Sequence, residues 1–230
     1  QAGRRDGRGP VPDEDKGGQV REIAGAEERW LGMNRTGRKR EICRRAAQVF
    51  AQKGFESTSV DEIAAHLGVA KGTIYYHFGG KRELFAATIS DGLERLLADV
   101  ERSIDKVDEP MEQLSRVLDV LLEYGRRHID FMRLFFGEVL ASGREWLTEI
   151  TEYRDRFAAL VGSIIARGKA EGCIRDVDTD TVIRYVLSAL TTVVLDWRDG
   201  GLPPAKAAPS IKQMMMRGIS CEISQTQTPI

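Results

Sequence analysis

The chain has 230 residues, of which 42% are hydrophobic and 30% are charged, and its formal net charge is −1. This length and apolar content allow one or two domains with hydrophobic cores, and the charge balance excludes a protein coated in basic residues. No run approaches the roughly 18 apolar residues that span a membrane, and no signal-peptide core opens the chain. We therefore expect a soluble, cytoplasmic protein that does not enter a membrane.

The cysteines Cys43, Cys173 and Cys221 are odd in number and far apart in sequence. Together with the three histidines they form no C-x-x-C motif and no zinc-ligand spacing. We therefore expect reduced thiols, no disulfide framework, no metal site and no cofactor.

Charge is distributed unevenly along the chain. The segment from Arg35 to Phe85 holds ten Lys or Arg and five Asp or Glu, a net charge of +5, so the remainder carries −6. A basic block on an otherwise acidic protein is typical of one end that faces nucleic acid. The alternative at this point is a solvated face with a chance excess of basic residues.

The two terminal segments lack a strong helical pattern. Residues 1–18 are rich in Gly, Pro and charge, which indicates disorder, and residues 20–33 show only a weak helical spacing. We predict that residues 1–34 are a disordered or weakly helical tail and that residues 222–230 are a disordered C-terminal tail.

Three short helices are predicted next. The first helix has apolar residues at helical spacing along one face. It should end at Gly54, because glycine readily adopts the left-handed conformation that often ends a helix. Ser59 and Glu62 form a capping-box pattern at the start of the second helix, which Gly68 ends. The third helix spans about 71–78 and is too short to be stable without packing. The order helix, tight turn, helix is typical of a helix-turn-helix domain, which we assign to residues 35–82.

The remainder reads as helices throughout. A long fourth helix is expected from Lys81 to about Ser103, and further helices at about 110–127, 129–141, 146–172, 179–197 and 205–221. Pro209 conflicts with the interior of the last helix, which should begin near Ser210 or have a broken first turn. No segment has a strand-like alternation. The predicted fold is all-α, with a helical effector-binding and dimerisation domain at residues 83–221.

Residues Ala46 to Ile89 carry specific motifs, AAQVFAQKGFESTSVDEIAAHLGVAKGTIYYHFGGKRELFAATI. They combine an A-x-x-x-F-x-x-x-G-[FY]-x-x-T-[ST] run, an I-A-x-x-x-G-V turn and a T-I-Y-Y-H-F-x-x-K run. This segment, about a fifth of the chain, resembles the TetR/AcrR family of bacterial transcriptional regulators. The resemblance implies a homodimer that binds double-stranded operator DNA and responds to a small-molecule effector.

The third helix is the expected DNA reader. Its first residues, Lys71, Gly72 and Thr73, would enter the major groove, since Gly permits close approach and Thr and Lys can contact base edges or phosphates. The resemblance places further residues near the DNA backbone: Thr58, Ser59, Tyr75, Tyr76, His77 and Lys81. Base-discriminating Arg, Asn and Gln are missing from this helix, so specificity should depend partly on DNA shape.

Each of these residues also has a structural interpretation. Ser59 caps a helix whether or not it contacts DNA, Tyr76 could serve packing, His77 could be a surface histidine, and Gly72 could be a turn residue. The basic residues before and within the first helix could form a minor-groove arm or a solvated helix start; they are Arg35, Arg38, Lys39 and Arg40.

The resemblance also implies two sites in the C-terminal domain. Candidate effector-pocket residues are Tyr124, His128, Phe131, Phe135, Trp146, Tyr153 and Phe157, although an aromatic stripe at helical spacing is more often core than pocket. The helix near residues 182–197 is apolar around more than half its circumference, more than one neighbouring layer requires. The expected dimer-interface residues are Val182, Tyr185, Val186, Ala189, Leu190, Val193, Trp197, Ile211, Met214 and Met215.

The sequence therefore predicts a ligand-responsive transcriptional regulator, a repressor that an effector releases from a palindromic operator. An enzyme is disfavoured because the chain has no E-x-x-H pair, nucleophile elbow or phosphate loop. A second alternative is a nucleoid-organising protein that uses the same DNA module without sensing a ligand.

Overall fold

A computed structural model describes residues 35–139, 147–198 and 204–221, and in these ranges the chain is all-α apart from one isolated β-bridge. The helices in chain order are α1 (Arg35–Lys53), α2 (Val60–Leu67), α3 (Lys71–Phe78), α4 (Lys81–Ile104), α5 (Pro110–Arg127), α6 (Ile129–Leu134), α7 (Leu147–Ala170), α8 (Thr179–Arg198) and α9 (Pro204–Ile219). Within these ranges no helix is both long enough and apolar enough to cross a membrane. The predicted tails, 1–34 and 222–230, lie outside the described residues.

Local capping chemistry sets the limits of α1 and α2. Gly54 follows α1 with a φ of 79° and its N–H donates to Phe50 O at 2.8 Å. At the start of α2, Ser59 Oγ accepts from Glu62 N at 3.2 Å, and Glu62 Oε2 accepts from Ser59 N at 2.9 Å. Gly68 ends α2 with a φ of 68°, which favours glycine. The predicted capping box and both glycine ends are confirmed.

The N-terminal hydrophobic core joins the short helices to α4 and α6. Phe85 on α4 packs edge-on against Phe50 and Phe55, with ring centroids 5.1 and 4.9 Å apart. Phe131 and Met132 of α6 belong to the same core. Since α4 runs without a break across residues 82–83, the helices α1, α2 and α3 are attached directly to the C-terminal helices rather than through a loose linker.

A second hydrophobic core lies at the other end of α4. Val100 and Ile104 pack there with side chains of α5, α7, α8 and α9. Asp178 Oδ1 accepts from Thr181 N at 2.8 Å and caps α8, as expected from the sequence. Helix α4 therefore contributes to both cores and connects the C-terminal core to α1, α2 and α3 through one continuous helix.

The limits of two helices test the sequence expectation. The predicted helix at 129–141 is α-helical only to Leu134 and continues as a π-helical stretch, Phe135–Val139; residues 140–141 lie outside the described ranges. The last helix begins at Pro204 and continues through Pro209, which confirms the predicted range of about 205–221 and excludes the alternative start near Ser210. Pro209 removes one helical hydrogen bond. The first turn of α9 is nevertheless helical, because Ala207, two residues before Pro209, is only 6% exposed and packs against the rest of the chain.

Candidate nucleic-acid interface

Helix α3 is held by its buried side and presents the other side to solvent. Ile74 is fully buried in the N-terminal core, which supplies the packing that an eight-residue helix needs. Lys71, Gly72, Tyr75 and Tyr76 are exposed. The side chains of Tyr75 and Tyr76 are 46% and 72% exposed, unusually high for large aromatic residues.

A depression of about 640 Å³ separates the start of α1 from α3. Its lining residues are Arg35, Arg38, Ala70, Gly72, Thr73, Tyr76 and His77. The Arg35 guanidinium carbon lies 5.7 Å from the centre of the Tyr76 ring, within cation–π range. The sequence left the role of Arg35 and Arg38 open; their i, i+3 spacing on one helix face is the signal that brings both to this depression.

The His77 ring contacts the ring of the exposed Tyr76. The two rings pack edge-on with their centroids 5.1 Å apart, and the Nδ1 atom of His77 is buried without a hydrogen-bond partner. Burial lowers the pKa of His77, and the nearby positive charges of Arg35, Lys39 and Arg38 lower it further. Both causes favour the neutral imidazole in the free protein, so His77 is not a preformed cationic phosphate ligand.

Lys71 and Gly72 open the reader helix. Lys71 Nζ forms an exposed ion pair with Asp61 Oδ2 of α2 at 2.8 Å, and the hydrogen bond to Asp61 raises the pKa of Lys71. An added Cβ at Gly72 would have no neighbouring atom within 4 Å. The free protein has no steric need for glycine at this position, which is consistent with a requirement that arises only when a ligand approaches.

Lys81 has an intramolecular role that the sequence did not reveal. Its Nζ donates to the carbonyl oxygens of Phe55 at 2.9 Å and Glu56 at 3.2 Å. The same ammonium lies 4.5 Å from the centre of the Phe55 ring. Lys81 therefore ties the start of α4 to the turn before α2, and a phosphate would have to compete with two carbonyl groups for it.

Thr58 and Ser59 differ in their availability to a ligand. Thr58 is 2% exposed and its hydroxyl donates to Gly54 O at 2.7 Å. The expectation of a DNA contact by the Thr58 side chain is therefore corrected: this hydroxyl stabilises the turn. Ser59 is exposed, and its hydroxyl serves the α2 cap.

Both halves of the chain match known families. Residues 42–88 match the family described as bacterial regulatory proteins, tetR family, and residues 107–219 match the tetracyclin repressor-like C-terminal domain. The chain belongs to the TetR family. This family consists of transcriptional regulators rather than enzymes.

Relatives of this TetR-family chain include named repressors. The HTH-type transcriptional repressor KstR2 of Mycobacterium tuberculosis strain H37Rv is 27% identical over 167 residues, 71% of this chain and 83% of KstR2. Among solved structures, PfmR from Thermus thermophilus is 30% identical with a TM-score of 0.66, covering 77% of this chain and 94% of PfmR. The structure of KstR2, 26% identical with a TM-score of 0.67, covers 80% of this chain and 96% of KstR2. The chain is therefore a DNA-binding transcriptional regulator.

Four candidate effector-pocket residues of this TetR-family chain lie in or beside the N-terminal core. Tyr124 is 3% exposed and its hydroxyl donates to Gly92 O at 2.7 Å, and burial raises the pKa of Tyr124 to about 12. Phe131 fills the space beside Gly92, where an added methyl group would overlap its ring. Phe135 stacks on Phe131 and His128 packs on Tyr124. These four residues pack against one another in the described part of the chain, and their place in an effector pocket stays a prediction.

The remaining candidates lie elsewhere. Phe157 lines a narrow apolar crevice of about 30 Å³ in the C-terminal core, between α5, α7, α8 and α9. Tyr153 is half-buried, and its pKa is raised to about 12 by burial and by a hydrogen bond to Glu94. Trp146 lies outside the described residues. The described members of the predicted pocket set therefore do not lie together: four are in or beside the N-terminal core, Phe157 is at the C-terminal core, and Tyr153 belongs to neither.

The predicted dimer-interface residues divide in a similar way. Tyr185 and Met214 are 53% and 60% exposed, as an interface requires. Val186 and Met215 are 7% and 6% exposed and pack inside the chain's own C-terminal core, so their assignment to the interface is corrected. Val182, Ala189 and Ile211 are half-buried. The side chains of Leu190, Val193 and Trp197 lie outside the described residues.

Proposed function

We propose that this TetR-family chain is a cytoplasmic, homodimeric repressor that a small-molecule effector releases from a pseudo-palindromic operator. Two α3 helices would lie in successive major grooves, about 34–36 Å apart. The observation that carries the proposal is the depression beside α3, where two arginines, an exposed tyrosine and the N-terminus of a helix meet. Cationic side chains and helix N-termini are the groups that bind DNA phosphates.

The proposed DNA contacts are refined by the geometry. Tyr75, Tyr76, Lys71, Gly72 and Thr73 form the reading surface, with Ser59 and His77 at its edge. Arg35 and Arg38 join the set because they line the same depression as Thr73 and Tyr76. Thr58 is not among the proposed contacts, because its hydroxyl is buried and already donates to Gly54 O.

A gel-shift titration of the full chain on DNA from its own promoter region tests this proposal. A discrete, salt-sensitive complex on one palindrome is expected, and scrambling one half-site should abolish it. Lys106→Ala should bind the palindrome as the unchanged chain does, because Lys106 is an exposed lysine beyond the far end of α4. It serves as the control for loss of a positive charge away from the proposed DNA-binding surface. Uniform coating of unrelated DNA would instead support the architectural role.

The effector would bind in the C-terminal core. The apolar crevice there has about 30 Å³ of space, whereas a small-molecule site needs on the order of 300–1,000 Å³. An effector bound in this crevice would displace core side chains, and such a displacement would act on α4 through Val100 and Ile104. The ligand can shift the equilibrium only by preferring the state that does not bind DNA.

A ketosteroid is the first effector class to test, since KstR2 is described as a ketosteroid transcriptional regulator. A bound ligand should raise the melting temperature of the chain and lower its affinity for operator DNA in the same concentration range. A polar metabolite of similar size serves as the control. A rise in melting temperature without release of the operator DNA would mean that the ligand binds the chain but does not regulate its DNA binding.

The homodimer would form through the exposed apolar side chains of α8 and α9. Tyr185, Leu187 and Met214 are large hydrophobic residues with at least 36% exposure, and a second copy of the chain would cover them. Sedimentation of the full chain should give a dimer, and Tyr185→Glu with Met214→Glu should give a monomer. The same double variant should lose binding to a palindrome, because one reader helix alone contacts half the site.

A further inference from the structure

The turn after α7 and the end of α9 lie side by side. Gly172 has a φ of 75°, and the N–H groups of Cys173 and Ile174 both donate to Gly168 O at 3.0 Å, which turns the chain away from α7. Ile174 then forms an isolated antiparallel bridge with Ser220. Two segments that are far apart in sequence are thereby held in fixed register.

Cys173 and Cys221 are directly opposite each other beside that bridge. Cys221 N donates to Cys173 O at 3.0 Å, and on the other side Arg175 N donates to Ile219 O at 2.9 Å. Only one of the two possible hydrogen bonds of this pair is present, because Cys173 N donates to Gly168 O instead. Directly opposite residues of an antiparallel pair have Cα atoms roughly 4.5–5.5 Å apart and side chains on the same face. A disulfide needs Cα atoms roughly 4.4–6.8 Å apart. The backbone therefore already has the spacing that a disulfide requires.

The register of this pair is reinforced by the neighbouring residues. Arg175 Nε donates to Ser220 O at 2.8 Å, and Ile174 is 3% exposed on the opposite, core-facing side. Cys173 and Cys221 are half-buried free thiols in this structure. The sequence expectation that the cysteines are far apart holds along the chain but not in space.

We propose that Cys173 and Cys221 form an intramolecular disulfide when the chain meets a hydroperoxide. One thiolate attacks a peroxide oxygen, the O–O bond breaks, and the sulfur becomes a sulfenic acid as the first water leaves. The second thiol attacks that sulfur, forms the S–S bond and releases the second water. Two thiols and one hydrogen peroxide become one disulfide and two waters.

The disulfide would close a loop that contains α8 and α9. It would add a covalent bond between the end of α9 and the exit of α7, which are otherwise joined by hydrogen bonds and apolar packing. The bond depends on the geometry within one chain and would form whether or not the proposed dimer exists. If the proposed dimer exists, oxidation would stiffen the helices that carry its exposed side chains.

The test treats the full chain with hydrogen peroxide at pH 8.5, because burial raises the pKa of Cys173. After denaturation, the oxidised chain should take up one alkyl group at Cys43 instead of three, and peptide mass spectrometry should show Cys173 joined to Cys221. The melting temperature should rise by about 5 °C on oxidation and return on reduction. Cys221→Ser and Cys173→Ser should each abolish both changes.

Two control variants test the geometry itself. Cys43→Ala should still form the bond, since Cys43 is 3% exposed and burial raises its pKa to about 12. Cys221→Ser combined with Ser220→Cys moves the thiol to the opposite face of the bridge and should not pair with Cys173. Three alkylated thiols after peroxide, a bond only between two chains, or equal pairing from position 220 would each overturn the proposal.

Discussion

Two regions of the molecule, the surface of α3 and the interior of the N-terminal core, use aromatic residues in opposite ways. On α3, Tyr75 and Tyr76 are exposed beside basic groups, whereas at the junction of α4, α5 and α6 the rings of Tyr124 and Phe131 are buried to within a few per cent. An aromatic side chain that remains exposed in a folded domain signals a partner, while one buried against its neighbours contributes to stability. The spacing of apolar residues along a helix tells an exposed aromatic residue from a buried one only where the exposed residue lies outside the apolar face.

The strongest test of this contrast is Phe131→Ala. Because the Phe131 ring fills the space beside Gly92, its removal should lower the free energy of unfolding by about 3–5 kcal/mol in chemical denaturation. A wall residue of an open effector pocket would lose much less. As a matched variant, Gly92→Ala should be destabilising alone, since its methyl group overlaps the ring, and much less so together with Phe131→Ala. Additive losses would contradict the close contact.

Tyr76→Ala should show the reverse pattern. Its side chain is 72% exposed, so stability should change by less than about 0.5 kcal/mol. Affinity for the operator should fall roughly thirtyfold, about 2 kcal/mol, in a fluorescence anisotropy titration. Lys106→Ala, which truncates an exposed side chain beyond the far end of α4 and outside the proposed dimer interface, is the control for a surface truncation. Unchanged affinity in Tyr76→Ala would remove this residue from the reading surface.

The sequence predicted those features that local chemistry determines. The Ser59–Glu62 capping box, the glycine ends at Gly54 and Gly68 and the limits of α3 depend on residues a few positions apart, so their spacing is sufficient to predict them. The acceptors of Lys81 lie 25 and 26 residues away. Such long-range contacts, like the burial of Phe131 against Gly92, depend on how the helices pack and leave no local pattern.

Lys71 and Lys81 provide the next test, because both were expected at DNA phosphates and the structure separates their roles. Lys71→Ala breaks only an exposed ion pair, so it should leave stability nearly unchanged and reduce the salt dependence of DNA binding by about one unit of slope. Lys81→Gln removes a charged donor from two carbonyl groups and should lower the free energy of unfolding by about 1 kcal/mol. If Lys81→Gln changes only the salt slope, the positioning role is wrong.

Substitution of His77 should have the smallest effect on DNA affinity. His77 lies between the exposed surface of α3 and the buried interior of the domain. In the free chain its pKa is lowered by burial and by the charges of Arg35, Lys39 and Arg38. DNA phosphates would offset those charges and raise the pKa, so the complex takes up a proton and affinity should increase as the pH falls towards 6. The gain between pH 8 and pH 6 should be about threefold, roughly 0.7 kcal/mol, at constant ionic strength. His77→Gln should lose this dependence, whereas His66→Gln, an exposed histidine in the last turn of α2, should retain it. The same pH dependence in both variants would mean that other groups govern the response and that His77 does not take up the proton.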